Sequence, residues 1–123
     1  MENGKTAYVN FLDDGEIACG STEFIVLRGK DVSGEFVYLL ARTHAFRENA
    51  IKSMVGSSGR QRVQESCFEK FPVLKPPHLI MKAFDDMVSP IFKLIGMLQL
   101  KNRKLRKARD ILLPKLMGGV LKI

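Results

Sequence analysis

Six consecutive residues, Ser57, Ser58, Gly59, Arg60, Gln61 and Arg62, bring hydroxyl, main-chain amide, side-chain amide and guanidinium donors into one short stretch. Donors of these kinds hydrogen-bond phosphate oxygens, and Arg and Gln can also read the edges of guanine and adenine in the major groove. The run Gly56-Ser57-Ser58-Gly59 combines permissive backbone with small side chains, so its main-chain N–H groups are open to a ligand. The same residues also suit an ordinary Gly-Ser connection entering a charged strand edge, and residue types alone leave both readings open.

Enzyme chemistry needs polar groups that converge, and the remaining polar residues do not. His44 and His78 are isolated in the sequence and read as helix-end or surface histidines. Asp13 and Asp14 belong with Gly15 to a turn. Asp85 and Asp86 are consecutive on a helix, so their carboxylates diverge and make a poor acid/base pair. Neither a G-x-G-x-x-G nor a Gly-Lys-Ser/Thr phosphate motif is present. Cys19 and Cys67 lack C-x-x-C spacing and a nearby His, which points to free buried thiols in a reducing compartment. The expectation is a protein that binds and does not catalyse, with no cofactor and no metal.

The elements that position the polar loop come from the preceding residues. Lys5 to Leu12 alternates like a strand, Asp13-Asp14-Gly15 supplies a hairpin turn, and Glu23-Phe24-Ile25-Val26-Leu27 reads as a strong strand. Ser33 and Thr43 are N-caps for two helices, one holding Phe36, Val37, Leu39 and Leu40, the other Phe46, Ala50, Ile51 and Met54. Gly56 must end the second. Phe71, Val73 and Leu74 read as a short strand, and Lys75-Pro76-Pro77 is a stiff link into a long helix. The predicted class is α+β: a few antiparallel strands and two or three short helices, followed by one long coiled-coil helix.

That helix is predicted from His78 to Leu116, roughly 55 Å at 1.5 Å per residue. Phe84, Ile91, Leu98, Leu105 and Leu112 recur at every seventh position, as in a helix–helix seam. Met87, Val88, Leu94 and Ile95 widen the apolar face of its first half. Pro90 is expected to kink one continuous helix, since the heptad spacing does not slip there. Beyond Leu100 the stripe narrows among Lys101, Arg103, Lys104, Arg106 and Lys107, a candidate basic partner surface. A fragment this small cannot cover the seam itself, so a second copy, another segment or another protein is expected on it.

The net charge of +7 is unevenly placed: nine Lys and Arg face ten Asp and Glu up to Leu74, then eleven face three. The basic excess therefore belongs to the helix and tail, where it suits phosphate or an acidic partner, although a solvated helix face accounts for any single lysine equally well. With 123 residues and 46% hydrophobic composition the chain amounts to one small domain. No signal peptide or membrane span is visible in the sequence, and a cytoplasmic location is expected.

Several stretches resemble the specificity subunits of type I restriction–modification systems. They are Gly20-Ser21-Thr22-Glu23-Phe24-Ile25-Val26-Leu27-Arg28, Phe46-Arg47-Glu48 through Ser53-Met54, Gly56 through Val63, and the proline pair ahead of the helix. Leu100-Lys101-Asn102, Leu105 and Arg109 through Leu116 are similar to the end of that family's conserved helical region. The resemblance implies a non-catalytic DNA-reading protein. In that family two recognition domains are held apart by two antiparallel helices, and methyltransferase subunits dock on the assembly, joined in some complexes by a restriction subunit.

Met1 falls well inside the usual recognition domain, so residues 1–76 are expected to form a partial one, 77–117 a spacer and dimerisation helix, and 118–123 a tail. On this reading residues 57–62 contact double-stranded DNA and the heptad seam forms a homodimer. The alternative is an interaction protein that binds methyltransferase or specificity subunits through its helix without reading DNA.

Overall fold

The computed structural model describes residues 5–12, 15–57 and 61–119. Among the described residues there are four helices: α1 (Gly34–Ala41), α2 (His44–Lys52), α3 (Ser66–Glu69) and α4 (His78–Met117). The α+β expectation fails. Among the described residues there is no strand, only an isolated antiparallel bridge between Val55 and Arg62. The runs read as strands at Lys5–Leu12, Glu23–Leu27 and Phe71–Leu74 have the right side chains, but a strand exists only through a hydrogen-bonded neighbour, and no ladder joins them. Asp13 and Asp14 of the expected hairpin turn lie outside the described residues. Gly15 has φ +85°, a turn conformation that glycine adopts without a Cβ clash.

The helix starts follow the expected caps. Ser33 Oγ accepts from Phe36 N at 3.3 Å, and Thr43 Oγ1 accepts from Phe46 N at 3.4 Å, each satisfying one N–H that the first turn leaves open. Thr43 also donates to Leu40 O at 2.7 Å, so one hydroxyl closes α1 and opens α2. The second helix stops at Ser53, earlier than Gly56. Ser53 N reaches Asn49 O and Ala50 O, and Ser53 Oγ donates to Ala50 O at 2.8 Å, a local closure that competes with another helical turn.

The chain divides into two compact units, Met1–Val88 and Ser89–Ile123. Among the described residues of the first, the buried ones are Ala41, Phe46, Ala50 and Met81, each 4–8% exposed. Phe46 is the hub: its ring stacks on Phe68 with centroids 4.8 Å apart and meets Phe71 edge-on at 5.1 Å, joining α2 to α3 and the segment beyond it. Asn49 Nδ2 donates to Cys67 O at 2.9 Å across the same contact. Phe84, in the first turns of α4, meets Phe36 of α1 edge-on at 5.8 Å.

The second unit holds the rest of α4. The helix is continuous through Pro90 and Pro114, each of which lacks the N–H for an i→i−4 bond. It closes with Gly118 N on Pro114 O, and Gly119 at φ +69° turns the chain away. Its apolar stripe is bare: Ile91, Leu98, Leu105 and Leu112 are 53%, 49%, 66% and 47% exposed. Among the described residues, no helix is long and apolar enough to cross a membrane.

Candidate nucleic-acid interface

The polar loop hangs from the C-terminal end of α2. Beyond Ser53, Val55 and Arg62 exchange two main-chain bonds, each 3.0 Å, and Gln64 N donates to Ser53 Oγ at 3.3 Å. The mouth of the loop is thereby pinned at two levels, while Gly56, at φ +130°, starts the excursion in a conformation that side chains disfavour. Ser57 and Gln61 are exposed. Ser58, Gly59 and Arg60 lie outside the described residues.

Arg62 is held on both its main chain and its side chain. Its guanidinium Nη2 forms an ion pair with Glu23 Oε1, both side chains substantially exposed. Sequence reading missed Glu23 as a neighbour of this site. No spacing rule links residues so distant along the chain, and Glu23 had been read only as the start of a strand. The carboxylate changes what Arg62 can do. It repels a phosphate approaching the same guanidinium, yet it leaves the other guanidinium N–H groups free to donate, because Arg carries five.

A second polar set lies elsewhere in the sequence of the same unit. Tyr8 hydrogen-bonds Glu35, and burial, with the Glu35 charge adding to it, raises the phenol above its ordinary value of 10.0. The Tyr8 and Tyr38 rings are 5.5 Å apart, and Arg42 Nη1 donates to Tyr38 Oη at 2.9 Å. Lys75 Nζ pairs with Asp31 at 2.8 Å, tying the segment ahead of α4 to the start of α1. These contacts brace the fold and present no converging catalytic set. Among the described residues no group of His, Cys, Asp or Glu has the arrangement to hold a metal ion. Cys19, read as buried, is exposed, and Cys67 is half-buried; both are free thiols.

The seam residues divide between the two units. Phe84 is half-buried against Phe36, whereas Ile91, Leu98, Leu105 and Leu112 are open. Lys101, Arg103, Lys104, Arg106 and Lys107 are exposed, and among the described residues none takes part in an ion pair. Arg109 differs, since its guanidinium turns to Asp110 at 2.6 Å.

Over 94 residues, 76% of its length, the chain is similar to the specificity subunit of a type I restriction enzyme, with 26% identity. That relative is the HindI specificity subunit of Haemophilus influenzae, and the chain spans about a fifth (20%) of its length. No family model matches the chain. No solved structure matches it either.

Proposed function

We propose that this chain is a non-catalytic specificity component of a type I restriction–modification system. A polar loop on its first unit reads double-stranded DNA, and its long helix scaffolds methyltransferase subunits, through which a restriction subunit joins. The similarity over 94 residues to a type I specificity subunit carries the reading. The pinned mouth of the loop supports it: a recognition element is best held before DNA arrives, and rungs at Ser53–Gln64 and Val55–Arg62 fix the loop's two ends, Arg62 among them. Residues 57–62 supply the DNA contacts. Ile91, Leu98, Leu105 and Leu112, with Phe84 at the start of the series, form the seam for a second helix, antiparallel in a homodimer.

A salt-titrated binding assay on a randomised duplex library tests this. Sequence-selective binding that disappears in Arg60→Ala and Arg62→Ala supports the loop as the reader. Two separate observations favour the interaction-only alternative: the bases of α4 are exposed, and Arg62 is already engaged by Glu23. Under that alternative, binding is sequence-blind, falls steeply with salt, and is abolished by Lys101→Ala with Arg103→Ala.

A further inference from the structure

Among the described residues, the Arg62–Glu23 ion pair ties the polar loop to a distant segment, and both members are placed by main-chain bonds. Arg62 exchanges two 3.0 Å bonds with Val55. Glu23 N donates to Ser21 Oγ at 3.2 Å, and the next N–H, that of Phe24, donates to Ser21 O at 3.0 Å. A turn therefore fixes the backbone that carries the carboxylate. Neither side chain is buried: they are 71% and 47% exposed. Arg62 Nη2 meets Glu23 Oε1, which leaves Glu23 Oε2 as an acceptor and further guanidinium N–H groups as donors, none with another partner among the described residues. The pair presents donors and an acceptor side by side at the mouth of the loop.

Base pairs differ in the series they show to such a pair. Across the major groove G·C presents two acceptors, guanine N7 and O6, and then a donor, cytosine N4. A·T presents an acceptor, a donor and an acceptor, followed by a methyl group. Guanidinium donors beside a carboxylate oxygen match the first series and fail on the second. Arg62 has no acceptor for adenine N6, and the Glu23 carboxylate has no donor for thymine O4. With its charge already offset by Arg62, the carboxylate also meets the phosphates as part of a near-neutral pair.

We propose that Arg62 and Glu23 together read one G·C base pair through the major groove, Arg62 donating to guanine O6 and N7 and Glu23 accepting from the N4 amino group of the paired cytosine. The inference rests on the reading of residues 57–62 as a DNA contact. It goes further by naming the base pair and by making Glu23, outside that loop, a second specificity residue.

Selection from a randomised duplex library, then fluorescence anisotropy on the selected site carrying single modified bases, tests the assignment. The selected site holds a G·C pair at which 7-deazaguanine, lacking N7, weakens the wild type by about tenfold or more, the scale of one charge-assisted hydrogen bond. N4-methylcytosine, whose methyl group takes the place of the major-groove amino hydrogen, does the same. The 7-deazaguanine penalty vanishes in Arg62→Ala, and the N4-methylcytosine penalty vanishes in Glu23→Ala. Glu23→Gln keeps an acceptor and gains a donor, so it binds the selected site no more weakly while discrimination at that pair falls. Circular dichroism checks that the variants fold, and should one misfold, the two wild-type penalties decide alone. A selected site with no G·C pair sensitive to both modifications, or penalties of equal size in wild type and variants, overturns this inference and leaves the loop as a reader. Sequence-blind binding by the wild type overturns that reading, and this inference with it.

Discussion

Replacing Arg62 separates a structural role from a DNA-reading one, because the two carry different magnitudes. Its ion pair with Glu23 is exposed, with side-chain accessibilities of 71% and 47%, so solvent screening limits its contribution to stability to about 0–1 kcal/mol. The main-chain rung to Val55 survives substitution. Arg62→Ala should therefore shift the urea midpoint only slightly. A guanidinium that reads a base edge is worth about 1–3 kcal/mol, a loss of roughly 5- to 150-fold for the preferred site, with other sequences less affected. Glu23→Gln acts in the opposite direction: the guanidinium is kept and a carboxylate that repels DNA is removed, so affinity for duplexes in general rises and discrimination falls. Fluorescence anisotropy at several salt concentrations measures both, with stability followed in parallel. If Arg62→Ala leaves preferred-site affinity within twofold of wild type, or if Glu23→Gln weakens binding, the assignment of Arg62 as a reader guided by Glu23 is refuted.

Phe46→Ala deletes the ring that joins Phe68 and Phe71. At about 3–5 kcal/mol for a buried Phe, against a total of about 5–15 kcal/mol for a domain and here, among the described residues, a core of only four buried ones, it should unfold the first unit at room temperature, as near-ultraviolet circular dichroism would show. Thr43→Ala removes the hydroxyl shared by α1 and α2 and should cost about 1–2 kcal/mol in urea unfolding, at the upper end for a cap because two bonds are lost. The raised pKa of Tyr8 means that the unfolded chain loses this proton first, so its contribution to stability is complete below pH 10.0 and is lost as pH rises through the folded-state value. Melting temperatures of wild type and Tyr8→Phe followed up to about pH 11 should converge at the alkaline end, and parallel curves would contradict the linkage.

Local signals were legible and pairings were not. Ser33 and Thr43 revealed both helix starts, because a cap is written in one residue and the three that follow it. The long helix was visible in the heptad spacing and the proline pair, which are equally local. The short α3 went unseen, since four residues carry too little periodicity to register. Strands failed for the reason that they need a neighbour: Phe24 to Leu27 has the composition of a strand and, among the described residues, no ladder to join. For the candidate interface, sequence placed Ser57, Gln61 and Arg62 on one loop but could not foresee that Ser53 and Val55 pin its mouth, or that Glu23 reaches Arg62 from far upstream.

The heptad seam changes meaning once its members are placed. Phe84 spends its ring on Phe36 inside the first unit, so the bare stripe of the second unit begins at Ile91. Fully burying such a side chain is worth about 1.5–3 kcal/mol, and these are already about half covered. Ile91, Leu98, Leu105 and Leu112 from two copies therefore supply roughly 6–12 kcal/mol, while association costs about 4–15 kcal/mol in lost freedom. Four positions alone make a marginal pair. The shortfall is met only where flanking apolar residues widen the stripe, and Leu94 at 52% and Ile95 at 41% exposure do so in the turns between Ile91 and Leu98. Farther along, Leu105 stands among Arg103, Lys104, Arg106 and Lys107, whose like charges resist a close partner bearing the same sequence in parallel. An antiparallel partner instead sets those bases against the less charged first half of the helix. In the proposed antiparallel homodimer the apolar contact would therefore belong to the turns from Ile91 to Leu98, with the basic segment beyond them left available to an acidic surface.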